Sequence, residues 1–143
     1  MSILDRADGA LEIASCEAGS TLDEIARLRA FSPVELPDEY AEIIAEKTEI
    51  EIGLRTGVYI RIWSAAGCME MNEAYQIQTY LPDAIAFADD ERCNVLLFAS
   101  GKNGKGIYAV SLSDLEPDAM VYVADSLRDF LLNGIGMDTV TEL

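Results

Sequence analysis

The chain predicts an α+β fold, a mostly antiparallel sheet of about five to six strands with helices packed on it. Three observations carry this expectation. Short apolar runs with period-two alternation recur after residue 50 and are joined by turns rather than long crossovers. Two stretches before residue 47 carry helix-start signals and apolar spacing near 3.6. At the centre, residues 81–99 read as two buried strands around an acidic turn. Ile85 and Phe87 lie in the first run, and Val95, Leu96, Leu97 and Phe98 form the second. Asp89, Asp90, Glu91 and Arg92 sit between them, where the chain reverses and meets water. A length of 143 residues fits one domain with a sizeable core, 1–143.

The elements follow in order. Residues 10–14 fit either a short edge strand or a loose helix. Ser20 or Thr21 caps a helix with Asp23 and Glu24 in its first turn. Leu22, Ile25, Ala26 and Leu28 form its apolar side, and Pro33 stops it near Phe31. Pro37 suits the first position of a second helix, with Tyr40, Ile43, Ile44 and Lys47 as its buried stripe. Glu39, Glu42, Glu46 and Glu49 share another face and make an acidic ridge.

Ile50 and Ile52 begin a hairpin that turns at 55–57 and returns through 58–63. Val58, Ile60 and Ile62 share one face, and Tyr59, Arg61 and Trp63 the other. Residues 69–80 fit a short helix, although Ile77, Thr79 and Tyr80 favour strand; Pro82 ends the segment. After the central pair, 100–105 joins a strand at 106–112. A turn with Pro117 and a strand at 120–124 follow. Asp125 or Ser126 then caps a last helix with Leu127, Phe130 and Leu131 inward, ended by Gly134 and Gly136.

Charge narrows the partners. There are 26 acidic and 10 basic residues, a net of −16. Such a surface repels nucleic acid and anionic membranes and attracts basic partners; solubility alone is the plainer use of the same charge. The three cysteines, Cys16, Cys68 and Cys93, have no paired spacing. There is no histidine, which removes the commonest general base and transition-metal ligand. The start, MSILDRADGALEIA, lacks the apolar core of a signal peptide, and no apolar run reaches the roughly 20 residues of a membrane span. A cytoplasmic location is expected.

Candidate chemistry is sparse. GKNGKG at 101–106 has the glycines and lysines of a phosphate cradle without the P-loop spacing or a following helix. It reads better as a hairpin turn. Asp89, Asp90 and Glu91 could hold a hard cation, but lack calcium-loop spacing. Arg92 beside Cys93 could lower a thiol pKa, whereas a cysteine entering a buried strand more often packs there. No enzyme signature and no cofactor or metal site emerges.

Three phrases in order, LPDEYAEII at 36–44, PDAIAFADDERCNVLLF at 82–98 and VYVADSLRDFL at 121–131, resemble the SUKH superfamily. That superfamily holds a fungal Smi/Knr-type regulator of cell-wall synthesis and many bacterial toxin-immunity proteins. The resemblance spans about 20–133. It departs at two loops: the family helix often ends in an asparagine-glycine turn where this chain has Lys47, Thr48 and Glu49. The acidic turn is often glycine-rich where this chain has Glu91, Arg92 and Cys93. The resemblance implies an α+β domain that binds a protein rather than catalysing a reaction, in bacterial members a toxin domain, often a nuclease. Together with the charge, it makes the expected partner a basic toxin masked by the acidic surface. The expected contact residues are Glu39, Glu42 and Glu46 on the ridge, Asp89, Asp90 and Glu91 in the turn, and Tyr59 and Trp63 as aromatic anchors. The alternative is a small-molecule or regulatory module with its ligand near Trp63.

Overall fold

The computed structural model describes residues 2–8 and 11–143. Helix α1 (Ile3–Asp8) leads into β1 (Glu12–Ala18). Helices α2 (Leu22–Phe31) and α3 (Asp38–Glu46) precede β2 (Lys47–Gly53) and β3 (Tyr59–Ile62). Helices α4 (Ala65–Ala74) and α5 (Ile77–Tyr80) precede β4 (Ile85–Asp89), β5 (Asn94–Gly101) and β6 (Gly104–Ser111). Strand β7 (Val121–Ala124) is followed by α6 (Leu127–Asn133) and α7 (Met137–Thr141). The fold is α+β, as expected, with seven strands rather than five to six. They form one antiparallel sheet in chain order, β1 to β7. The additional strand is β1. Its acidic, largely exposed residues pair only with β2, so little apolar patterning marks it. Of the expected segment 10–14, Ala10 lies outside the described residues.

Register decides the faces. Ile50 pairs with Ile62 and Ile52 with Ile60, so these four isoleucines share one face and are fully buried. Ile62 pairs with Ala88, and Ala88 with Leu96, so Phe98, two residues on, faces the same way. Helix α3 covers this face. Its Tyr40 ring lies 5.6 Å from Phe87 and 5.5 Å from Phe98, and those two rings stack at 4.0 Å. The Tyr40 hydroxyl donates to the Trp63 carbonyl at 2.8 Å. Burial, then the neighbouring Cys68, pushes this phenol well above its usual range.

The central pair is where the sequence puts it, β4 and β5 around a turn at 90–93. Of the two expected caps of α2, Thr21 is the one used, and it forms a capping box with Glu24: Thr21 Oγ1 accepts from Glu24 N–H, and the Glu24 carboxylate accepts from Thr21 N–H. Those two bonds to Thr21 lower the Glu24 pKa. A lowered acid stabilises above its unfolded pKa and loses that contribution as pH falls through its folded value. Glu24→Gln is therefore expected to lower stability at neutral pH, since an amide oxygen is a weaker acceptor for the Thr21 N–H than a carboxylate. Its deficit against the parent, read from urea midpoints, should narrow below about pH 4. A deficit that stays constant with pH would remove the capping box as its cause.

Four corrections concern the helices. Only Ile25 and Leu28 of α2 are buried; Ala26 is exposed and Leu22 is 82% exposed, because α2 meets α4 through a narrow stripe. Lys47 is exposed rather than in the α3 stripe, since the chain has already turned extended and pairs with Ala18. Residues 69–80 contain the end of α4 and then α5, separated by Gln76 at φ +54. Helix α7 follows Gly136, whose φ is +87. A Cβ there would lie 2.2 Å from the Val123 carbonyl oxygen, so only glycine fits this close approach.

Strand β3 leaves the sheet after Trp63, whose N–H still reaches the Phe87 carbonyl. The next stretch of β4 is completed by a side chain. Asn72, fully buried on α4, donates to the Ala86 carbonyl at 2.8 Å and accepts from the Ala86 N–H at 3.0 Å. It also donates to the Cys68 carbonyl at 2.7 Å and accepts from Gln78 at 2.9 Å. The Asn72 amide thus stands where a neighbouring strand would be. The Cys68 thiol donates to the same Ala86 carbonyl at 3.0 Å, and burial pushes its pKa up to about 12.

Candidate functional site: two acidic surfaces

The face opposite α3 carries charge. Pairing sets Glu51 beside Arg61 and Arg61 beside Asp89, in one row across β2, β3 and β4. Arg61 donates to Glu51 at 3.0 Å and to Glu91 at 3.1 Å. Asp89 accepts from the Trp63 indole at 2.7 Å and from the Glu91 N–H at 2.7 Å. Two residues before Arg61, Tyr59 donates its hydroxyl to Glu12 at 2.7 Å, which raises the phenol's pKa. The expected residues Tyr59, Trp63, Asp89 and Glu91 are thereby gathered around Arg61, whose place at the hub only the strand register reveals.

Glu51 and Glu91 compete for one guanidinium. The Glu91 carboxyl is raised above its usual range, first by its hydrogen bond with Glu51 and then by burial, with Arg61 opposing. An acid raised in the folded state stabilises most below its unfolded pKa, and that contribution is lost as pH rises through the folded value. Glu91→Gln removes the titration and keeps a donor toward Glu51. The thermal midpoint of Glu91→Gln minus that of the parent should therefore climb between about pH 4 and pH 7. A difference that shrinks over that range would refute the raised Glu91 carboxyl.

The second surface is the outer side of α3. Glu39, Glu42 and Glu46 lie along it with helical spacing. Glu39 meets Arg128 at 3.5 Å. Glu42 is exposed and has no ion pair among the described residues. Glu46 accepts from Ser2 Oγ at 3.1 Å. The ridge does not extend to Glu49. That residue belongs to β2 at φ +46, with its carboxylate accepting the Ser64 N–H at 2.6 Å. Helix α3 covers the isoleucine face, so the ridge and the Arg61 row stand on opposite sides of the sheet.

Two of the eight expected contact residues serve the interior. Trp63 is 2% exposed, its indole N–H held by Asp89, so it offers no surface to a partner. Asp90 is also 2% exposed. Its Oδ1 accepts from the N–H groups of Arg92 and Asn94 at 3.0 and 3.2 Å. Its Oδ2 accepts from Arg92 Nε and Asn94 Nδ2 at 3.0 and 2.8 Å. The signal was available: an aspartate two residues before Arg92 and four before Asn94 forms side-chain-to-backbone turns. Trp63 as a ligand anchor loses its basis with its exposure.

Other candidates take structural roles. The turn at 102–103 closes the β5–β6 hairpin, with Gly104 at φ +80. The Tyr108 hydroxyl binds this turn, donating to the Gly104 carbonyl at 2.6 Å and accepting from Asn103 N–H at 3.0 Å. Cys16 and Cys93 are exposed free thiols. Among the described residues, no group of three or more His, Cys, Asp or Glu side chains is arranged to hold a metal ion, and no helix is long and apolar enough to cross a membrane.

Comparison with known families adds one finding. The family model described as SMI1 / KNR4 family (SUKH-1) matches residues 19–133. That span runs from just before α2 to the end of α6 and leaves α1, β1 and α7 outside. No individual curated protein matches the chain.

Proposed function

The chain belongs to the SMI1 / KNR4 family (SUKH-1), and from that premise we propose that it is a non-catalytic, cytoplasmic protein-binding domain of the immunity type. It masks a cognate basic toxin domain. The observation that carries this reading is the α3 ridge, joined to a net charge of −16. Glu42 and Glu46 project from a helix whose opposite side is locked into the core, and neither is neutralised by a cation of this chain among the described residues. Like charges so spaced cost a few tenths of a kcal/mol per pair in the unbound helix, and a basic surface reverses the sign.

The test has two arms. The full chain is used to capture partners from source-cell lysate at low and at high salt, with mass spectrometry of what is retained. A basic protein that elutes with salt is the expected result. The captured partner is then measured against Glu42→Lys/Glu46→Lys, both at exposed positions. Affinity should fall by about tenfold or more, mostly through slower association, with the melting temperature nearly unchanged. Unaltered affinity and salt dependence would leave the ridge as a merely solvated face.

A further inference from the structure

A cleft of about 320 Å³ opens where α3 and α6 begin. It exists because the β5–β6 hairpin outruns its neighbours. Strand β4 starts at Ile85, opposite Phe98, and β7 stops at Ala124, opposite Ile107. Residues 99–101 and 104–106 therefore pair only with each other, and the space beside them is left open. Pro37, Phe98 and Leu127 supply apolar lining. Around them stand three carboxylates, Glu35, Glu39 and Asp125, against one ammonium, Lys105. Glu39 is engaged by Arg128 and Asp125 by the Tyr122 hydroxyl. Glu35 is exposed and has neither a hydrogen bond nor an ion pair among the described residues.

We infer that this cleft seats one apolar side chain of the partner protein, with a flanking lysine or arginine paired to Glu35. The inference rests on the protein-binding reading and names the surface where binding is anchored. The volume lies at the low end of small-molecule sites, which start at about 300 Å³, and is ample for one apolar side chain. An apolar anchor in a desolvated pocket is the usual energetic centre of an interface. Glu39 is already paired with Arg128, so an anionic occupant would face Glu35 and Asp125 with Lys105 in support, and a cationic flank meets the reverse. Glu39 belongs both to the lining and to the start of the ridge, so a segment leaving the cleft along α3 passes Glu42 and Glu46 next. Cleft and ridge form one continuous surface.

The probe is the peptide N-acetyl-Arg-Leu-Arg-amide, titrated into the ¹⁵N-labelled full chain. The amide signals of Ala99, Gly106 and Leu127 should move. Ser100→Trp, at an exposed lining position, should plug the cleft and abolish those shifts while the spectrum stays dispersed. Glu35→Lys should weaken the same shifts about tenfold without filling anything. N-acetyl-Glu-Leu-Glu-amide should leave them in place. Shifts that survive Ser100→Trp, that map to the 89–91 turn, or that the acidic peptide reproduces would overturn the cleft. The two readings fail separately. Salt-sensitive capture of a basic partner that Ser100→Trp leaves untouched overturns the cleft and spares the protein-binding reading. A peptide seated in the cleft with no captured partner supports the cleft and sinks that reading.

Discussion

Asn72→Leu should destabilise the protein by about 3 kcal/mol, because each buried polar group left without a partner costs roughly 1–3 kcal/mol. Leucine keeps most of the volume and removes every bond. The Ala86 N–H loses its acceptor, and the Ala86 carbonyl keeps only the weak thiol donor of Cys68. Gln78 loses one of its two acceptors and keeps the Ala84 carbonyl. In a domain of this size the loss corresponds to a drop in thermal midpoint on the order of 10 °C. Asn72→Asp separates shape from hydrogen bonding. It keeps an acceptor for the Ala86 N–H but points a carboxylate at the carbonyls of Cys68 and Ala86. Its deficit should be smaller at pH 5 than at pH 8, where the buried acid must ionise or hold its proton against solvent. A loss below about 1 kcal/mol for Asn72→Leu would mean that water or a shifted β3 satisfies Ala86 instead.

Asp90→Ala should cost a comparable amount, about 3 kcal/mol, and should do so without touching an interface. Four donors from Arg92 and Asn94 converge on this buried carboxylate, and buried charge-assisted bonds are the expensive ones to lose. The effect should travel. Arg92 also donates to the Val140 carbonyl at 3.0 Å, so the turn between β4 and β5 holds α7 in place. Hydrogen exchange at residues 137–141 should accelerate together with the fall in urea midpoint. Partner capture measured well below the melting temperature should persist. If capture vanished while the urea midpoint stayed constant, Asp90 would be a contact residue after all.

These two positions mark where the sequence was legible and where it was not. The β4–β5 pair and the N-cap of α2 were readable because each is set by residues close together in the chain. Asp90 was misread as surface for an opposite reason. A run of Asp89, Asp90, Glu91 looks uniformly solvated, yet successive residues at a turn point in different directions, and only Asp89 and Glu91 look toward Arg61. Asn72 gave no sign of its role, since its partner Ala86 is fourteen residues away and is chosen by where β3 happens to end. The ridge was legible as far as Glu46; Glu49 has the right spacing but the wrong backbone. The family resemblance pointed at the same places. Its two departures, around 47–49 and 91–93, contain Glu49 and Glu91, two glutamates at positive φ. Where the family often has glycine, this chain holds a left-handed backbone with side-chain bonds, to the Ser64 N–H and to Arg61.

The order of the sheet bears on how the molecule comes into being. In a meander each strand meets the strand made just before it, so no portion of the sheet waits for a distant part of the chain. Synthesis on a ribosome delivers residues at about 5–20 per second, whereas a β-hairpin closes in about 1–10 μs. Every added strand therefore has its template ready when it emerges, and the growing edge is covered by the next strand in turn. The two pauses are the 28-residue gap between β1 and β2, filled by α2 and α3, and the 22-residue gap between β3 and β4, filled by α4 and α5 and bridged by Asn72. A nascent chain stalled before residue 85 would present β3 as an open edge, and that is the length at which a folding helper would be of most use to it.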